Sequence, residues 1–184
     1  LDTLKDDDVL VLAGSIPSGM PQSIYRDIMS RLQSKRIKIA VDATKDLLMN
    51  VLAYHPFVIK PNNHELSEIF DIMIDSKEKA VVYAKELQKK GAQNVIVSMA
   101  GEGAVFVGSD GSVFTSEAPH GVVKNSVGAG DSMVAGFLAG YLAKGDYAEA
   151  FKMGLCTGSA SAFSDQLATR EEVEQVRRSH IFDF

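Results

Sequence analysis

A chain of 184 residues that is 46% hydrophobic and 23% charged holds enough apolar material to bury the core of one ordinary domain, which excludes a disordered or fibrous protein. Its net charge of −5 gives no electrostatic reason for nucleic acid or an anionic membrane as partner, so a polyanion would have to be held by local groups. The one cysteine, Cys156, excludes an intrachain disulfide and a multi-cysteine metal site, and it reads as a buried small hydrophobe in a reducing cytosol.

The chain opens at Leu1 with the charged segment Lys5-Asp6-Asp7-Asp8 and then an apolar run, which reads as the middle of a longer gene product. No apolar stretch reaches the roughly 18 to 20 residues that span a bilayer, so a soluble, cytoplasmic protein is expected. Runs of strand character recur at Val9–Ala13, Ile37–Val41, Phe57–Lys60, Val95–Met99 and Ala104–Val107, the first four separated by segments of helical period. That alternation means α/β with parallel strands. In the first intervening segment Pro21 stands where a helix start tolerates a missing N–H, and Ile24, Ile28 and Leu32 form one apolar stripe. Further helices are expected over Asp46–Ala53, from Asn63, and from Ser76, the last stacking Ala80, Ala84 and Leu87 before Gly91 stops it.

The pattern then changes. Ala104–Val107 and Val113–Ser116 flank the turn Ser109-Asp110-Gly111-Ser112, which predicts a hairpin and a mixed sheet at one edge. Two long helices follow at Asp131–Ala143 and about Asp146–Phe163, and Thr169-Arg170-Glu171-Glu172 fits a capping box opening a last short one. With no linker, repeat or low-complexity tract, residues 1–184 read as one α/β domain.

Chemistry-bearing residues concentrate at expected strand ends. Ala13-Gly14-Ser15-Ile16-Pro17-Ser18-Gly19 follows the first strand, and by itself it is a plain turn. Lys60-Pro61-Asn62-Asn63-His64-Glu65-Leu66 lies where a strand gives way to a helix, the edge at which open α/β sheets bind ligands. There Glu65 alone reads as a first-turn carboxylate facing solvent, and His64 as surface, with no second histidine at a metal-binding offset. Val95–Ala104 ends a strand in Ser98 and a loop with Gly101 and Gly103, equally what an ordinary hairpin wants.

The most informative stretch is Asn125-Ser126-Val127-Gly128-Ala129-Gly130-Asp131-Ser132-Met133, a glycine-rich turn leading straight into a helix. Unpaired N–H groups of Val127 to Asp131 would form a concave donor set at a positive helix end, a ready site for an anion. Asp131 is then either a base beside that anion or a cap on the helix, and spacing leaves the two open. Neither a Walker loop nor a dinucleotide fingerprint is present, since Met133 stands where the third glycine would.

Together these elements resemble the ribokinase/PfkB carbohydrate kinases, whose Gly-Ala-Gly-Asp turn, Lys-Pro-Asn-x-x-Glu element, Ser-x-x-x-x-Gly-Ala loop and Ser-Gly-Ser-Leu-Pro-x-Gly loop occur here in the same order. The resemblance implies a ribokinase-like three-layer αβα sandwich, its sheet mostly parallel with an antiparallel edge. It implies Asp131 as catalytic base and Gly128, Ala129 and Gly130 as anion hole. Lys60 and Asn62 would lie near the phosphates of ATP, and Glu65 would order magnesium-bound water. Ser98, Gly101 and Gly103 would lie along the nucleotide and Ser15 near a sugar phosphate. Cys156–Phe163 would flank the adenine or simply pack helices closely.

Departures are Ala13 for the first Ser of its loop, Ile16 for Leu, and Ser126 where Thr is common. The Gly-Gly-Lys-Gly-type sugar site and β-sheet lid of the family are absent, and no Gly-Gly occurs. The resemblance points to the hexose-phosphate branch, with fructose 1-phosphate converted to fructose 1,6-bisphosphate and tagatose 6-phosphate as alternative acceptor. A nucleotide-binding fragment inactive on its own is the competing expectation. The full-length protein is expected to be a homodimer, and the isolated stretch to be prone to association.

Overall fold

The structure is a computed structural model that describes all of residues 1–184. The chain divides into two compact units, Leu1–Val97 with Val107–Gly111, and Ser98–Phe106 with Ser112–Phe184.

In the first unit, β1 (Val9–Ala13), β2 (Lys38–Asp42), β3 (Val58–Ile59) and β4 (Asn94–Ser98) pair in chain order as parallel neighbours. Parallel neighbours need a crossover, and the connecting segments supply α1 (Ile24–Leu32), α2 (Lys45–Met49) with a 3₁₀ turn at Leu52–Tyr54, and then α3 (Asn63–Phe70) and α4 (Lys77–Lys89). Two further strands, β5 (Ala104–Val107) and β6 (Val113–Ser116), complete a six-stranded sheet in the order β1-β2-β3-β4-β5-β6, mostly parallel with an antiparallel edge. The α/β fold expected from the alternation is therefore the fold observed.

Most elements lie where periodicity put them. Ala80, Ala84 and Leu87 form the fully buried stripe of α4, and Ser76 caps that helix by accepting from the Lys79 N–H. The first helix differs. It starts at Ile24, so Pro21 lies outside it and only lends its carbonyl to the Ile24 N–H at 3.0 Å. Its buried residues are Met29 and Leu32, with Ile24 and Ile28 half-buried, since each i to i+4 step turns about 40° around the helix and the row drifts off the buried face. The second is shorter than expected: α2 ends at Met49, and the chain tightens into the 3₁₀ turn.

In the second unit, α5 (Ala129–Lys144), α6 (Tyr147–Phe163) and α7 (Arg170–Ser179) stand with β5 and β6. The core is aromatic: Phe106 lies 5.4 Å from Phe137 and 5.9 Å from both Phe114 and Phe151, ring centre to centre. Each such ring taken from water contributes about 1.5–3 kcal/mol.

Small residues let α5 and α6 approach closely. A Cβ on Gly136 would meet Thr157 Oγ1 at 2.5 Å, and one on Gly154 would meet the Met133 carbonyl at 2.9 Å. The small-residue segment Cys156–Phe163 thus serves close helix packing. Cys156 is fully buried, and burial pushes its thiol up to about 12, so it stays protonated and inert. No helix is long and apolar enough to cross a membrane.

Candidate active site

The turn before α5 is built by its own backbone. Asn125 Oδ1 accepts the Val127 N–H at 3.0 Å, and the Ser126 carbonyl accepts the Ala129 N–H at 3.2 Å. These bonds correct the expected donor set, since Val127 and Ala129 are already satisfied. The N–H groups of Gly128, Gly130 and Asp131 have no partner within the chain and remain for a ligand.

Gly128 is the N-cap at φ +79°, a left-handed conformation that glycine adopts without steric cost. A Cβ there would also press Leu167 at 2.8 Å. The three free donors lead a helix of 16 residues, so the positive end of its dipole lies behind them. Asp131 sits in the first turn with an exposed carboxylate that makes no hydrogen bond or ion pair. It is not a side-chain cap of this helix, which leaves its oxygens available for chemistry.

Ser132 behind it is buried and is held at 2.9 Å by the Ser161 hydroxyl of α6, whose oxygen also accepts the Ala168 N–H at 3.1 Å. This buried polar link anchors the first residue after the turn, so the start of α5 is fixed from inside.

The unit boundary falls within β4, so its last residue, half-buried Ser98, belongs to the second unit, as does Gly101, which is exposed with open space around it. Gly103 has a structural task. At φ +91°, a Cβ on it would lie 2.0 Å from the Ser116 carbonyl oxygen, so the β5 start runs against the end of β6 and only glycine fits.

The first unit carries the other residues singled out by sequence. Lys60 follows β3 and is buried at 7% exposure, its ammonium 3.2 Å from the Asp42 carboxylate at the end of β2. Sequence reading missed Asp42. The available signal was the need of a buried lysine for a counter-ion, but only parallel pairing of β2 and β3 brings that residue alongside.

Asn62 and Glu65 form a reciprocal capping box at the start of α3, each N–H bonded to the other's side chain at 2.8 Å. Glu65 is half-buried and uses one carboxylate oxygen, Oε2, in this box, so the expectation that it simply faces solvent is corrected. His64 is exposed, as expected of a surface residue. Ser15 is exposed in the loop after β1. No three His, Cys, Asp or Glu side chains converge as a metal cage.

Comparison with known proteins decides the family. The model of the pfkB family carbohydrate kinases matches residues 1–172. The chain belongs to this family. Within it, the chain is 44% identical over 174 residues to 1-phosphofructokinase of Bacillus subtilis, an alignment covering 95% of this chain and 57% of that protein. It is 30% identical to D-tagatose-1-phosphate kinase of Bacillus licheniformis, over 90% of this chain and 55% of that one.

Among solved structures, a Staphylococcus aureus protein provisionally described as a phosphofructokinase superposes with a TM-score of 0.91 at 37% identity, covering 96% of this chain and 57% of that one. The chain thus spans little more than half the length of these pfkB relatives.

Proposed function

We propose that this chain is the nucleotide-binding, catalytic C-terminal part of a sugar-phosphate kinase acting on fructose 1-phosphate in the cytoplasm. The observation that carries this reading is the turn Asn125–Asp131. Three unbonded N–H groups and an unengaged carboxylate head one helix, in a member of a carbohydrate kinase family. The likeness to a 1-phosphofructokinase favours fructose 1-phosphate, and the likeness to a tagatose-phosphate kinase keeps tagatose phosphates as alternative acceptors.

In this reading the acceptor hydroxyl attacks the terminal phosphorus of ATP, the bond to the bridging oxygen breaks, and ADP leaves. Asp131 takes the hydroxyl proton, and the N–H groups of Gly128, Gly130 and Asp131 hold the charge on the transferring group, with Ala129 shaping the turn. By the family resemblance, Lys60 and Asn62 serve the nucleotide phosphates. Ser98, Gly101 and Gly103 form the loop along the nucleotide, and Ser15 serves the sugar phosphate.

The donor set fits magnesium carried by the nucleotide rather than by a protein cage. Side chains here offer single carboxylates, and Glu65 has one oxygen left over from its capping box to order a metal-bound water. Magnesium would supply charge neutralisation on the phosphates.

The coverage of little more than half of each relative favours a second reading, in which this stretch alone binds ATP without turnover and the full-length homodimer completes the site. Supplying the full-length gene product with ATP, magnesium and fructose 1-phosphate or a tagatose phosphate should release ADP in step with acceptor. No ADP with any of these acceptors would sink the kinase reading.

A further inference from the structure

Tyr25 lies in the first turn of α1 and reaches back across the end of β1. Its hydroxyl donates toward the carbonyl oxygens of Ala13 at 2.7 Å and Gly14 at 3.1 Å. Gly14 in turn donates its N–H to the carbonyl of Asp42 at 3.1 Å, so the ends of β1 and β2 are joined at the point where the Ser15 loop leaves the sheet.

Beyond that point the loop is barely held. From Ser15 to Met20 the one hydrogen bond is the Met20 N–H to the Pro17 carbonyl at 2.9 Å. A Cβ added to Gly14 or Gly19 would find nothing within 4 Å, and from Ser15 to Met20 only Ile16 is half-buried, the rest being exposed. The position of Ser15 is set where the loop is rooted, and the only side chain rooting it is that of Tyr25.

We propose that Tyr25 is a positioning residue for the acceptor sugar phosphate, acting through the Ala13-Gly14-Ser15 loop; this rests on the kinase reading above. Tyr25 touches neither substrate nor reacting atoms in this account. Burial, with the Asp42 carboxylate nearby, pushes its phenol above the usual tyrosine range, so the hydroxyl remains a donor throughout neutral pH. A loop held by one shared hydroxyl keeps Ser15 ready for a phosphate oxygen, and without it binding must also order the loop.

The test uses the full-length gene product as wild type, Tyr25→Phe, Ser15→Ala and the double variant, with ADP release followed against fructose 1-phosphate and separately against ATP. Tyr25→Phe should raise KM for fructose 1-phosphate about tenfold, the scale of one lost hydrogen bond, with kcat within about twofold and KM for ATP unchanged. Because Tyr25 acts through Ser15, the double variant should match Ser15→Ala rather than add to it.

A merely structural role would lower kcat through loss of folded enzyme and leave KM where it was. An unchanged KM in Tyr25→Phe, or additive effects in the double variant, would overturn the inference while the kinase reading stands. A wild type that turns over no sugar phosphate removes both.

Discussion

Asn62 and Glu65 cap one another: the Asn62 N–H donates to Glu65 Oε2, and the Glu65 N–H donates to Asn62 Oδ1, both at 2.8 Å. One carboxylate therefore closes a helix and, in the proposed function, serves the nucleotide metal. The two tasks separate by substitution. Glu65→Gln keeps an acceptor for the Asn62 N–H, so the urea midpoint of the full-length protein should hold while the magnesium needed for half-maximal ADP release rises about 10–100-fold. Glu65→Ala should show the same magnesium effect and in addition lose about 1 kcal/mol of stability. Equal magnesium dependence in wild type and Glu65→Gln would reduce Glu65 to a cap.

Asp131 is exposed and without a partner, so removing its charge should barely touch the fold. Asp131→Asn in the full-length protein is expected to lower kcat by about 10²–10⁴-fold while ATP still binds in calorimetric titration. A variant that retains near-wild-type kcat would show that another group takes the proton.

Gly101 and Gly103 stand in one loop but answer to different constraints. Gly103→Ala forces a Cβ to within 2.0 Å of the Ser116 carbonyl at φ +91° and should cost about 2–5 kcal/mol in denaturant unfolding. Gly101→Ala meets open space and should change stability by no more than about 0.5 kcal/mol. Any rise in KM for ATP in Gly101→Ala then reports a nucleotide contact rather than a folding defect.

His180 ties the C-terminal residues to β6, its Nε2 lying 3.2 Å from Ser116 Oγ and its ring 4.7 Å from that of Phe182. Burial, helped by His120 and opposed by Asp183 and Glu117, lowers its pKa below the usual 6.5. The folded state thus favours the neutral ring. The stability this brings is fully present above pH 6.5 and is lost as pH falls through the lowered value. Urea midpoints should decline as pH is taken from 7.5 toward 5, and His180→Phe should flatten that part of the profile.

Sequence alone determined much of this protein because strand and helix periods are local. The alternation of apolar runs gave the parallel sheet, and β1, β5 and β6 fall on their expected residues. Thr169 and Glu172 form the expected capping box, since its partners lie within one turn. The Gly128–Asp131 turn was legible for the same reason.

What the tertiary structure decided involves residues far apart in the chain. The partner of buried Lys60 is Asp42 only because β2 and β3 lie side by side. Gly103 is glycine because β6 ends against it, and the Ser15 loop is rooted by Tyr25 because α1 turns back over the end of β1. Such contacts follow from where the folded chain returns, and no local pattern of residues encodes that.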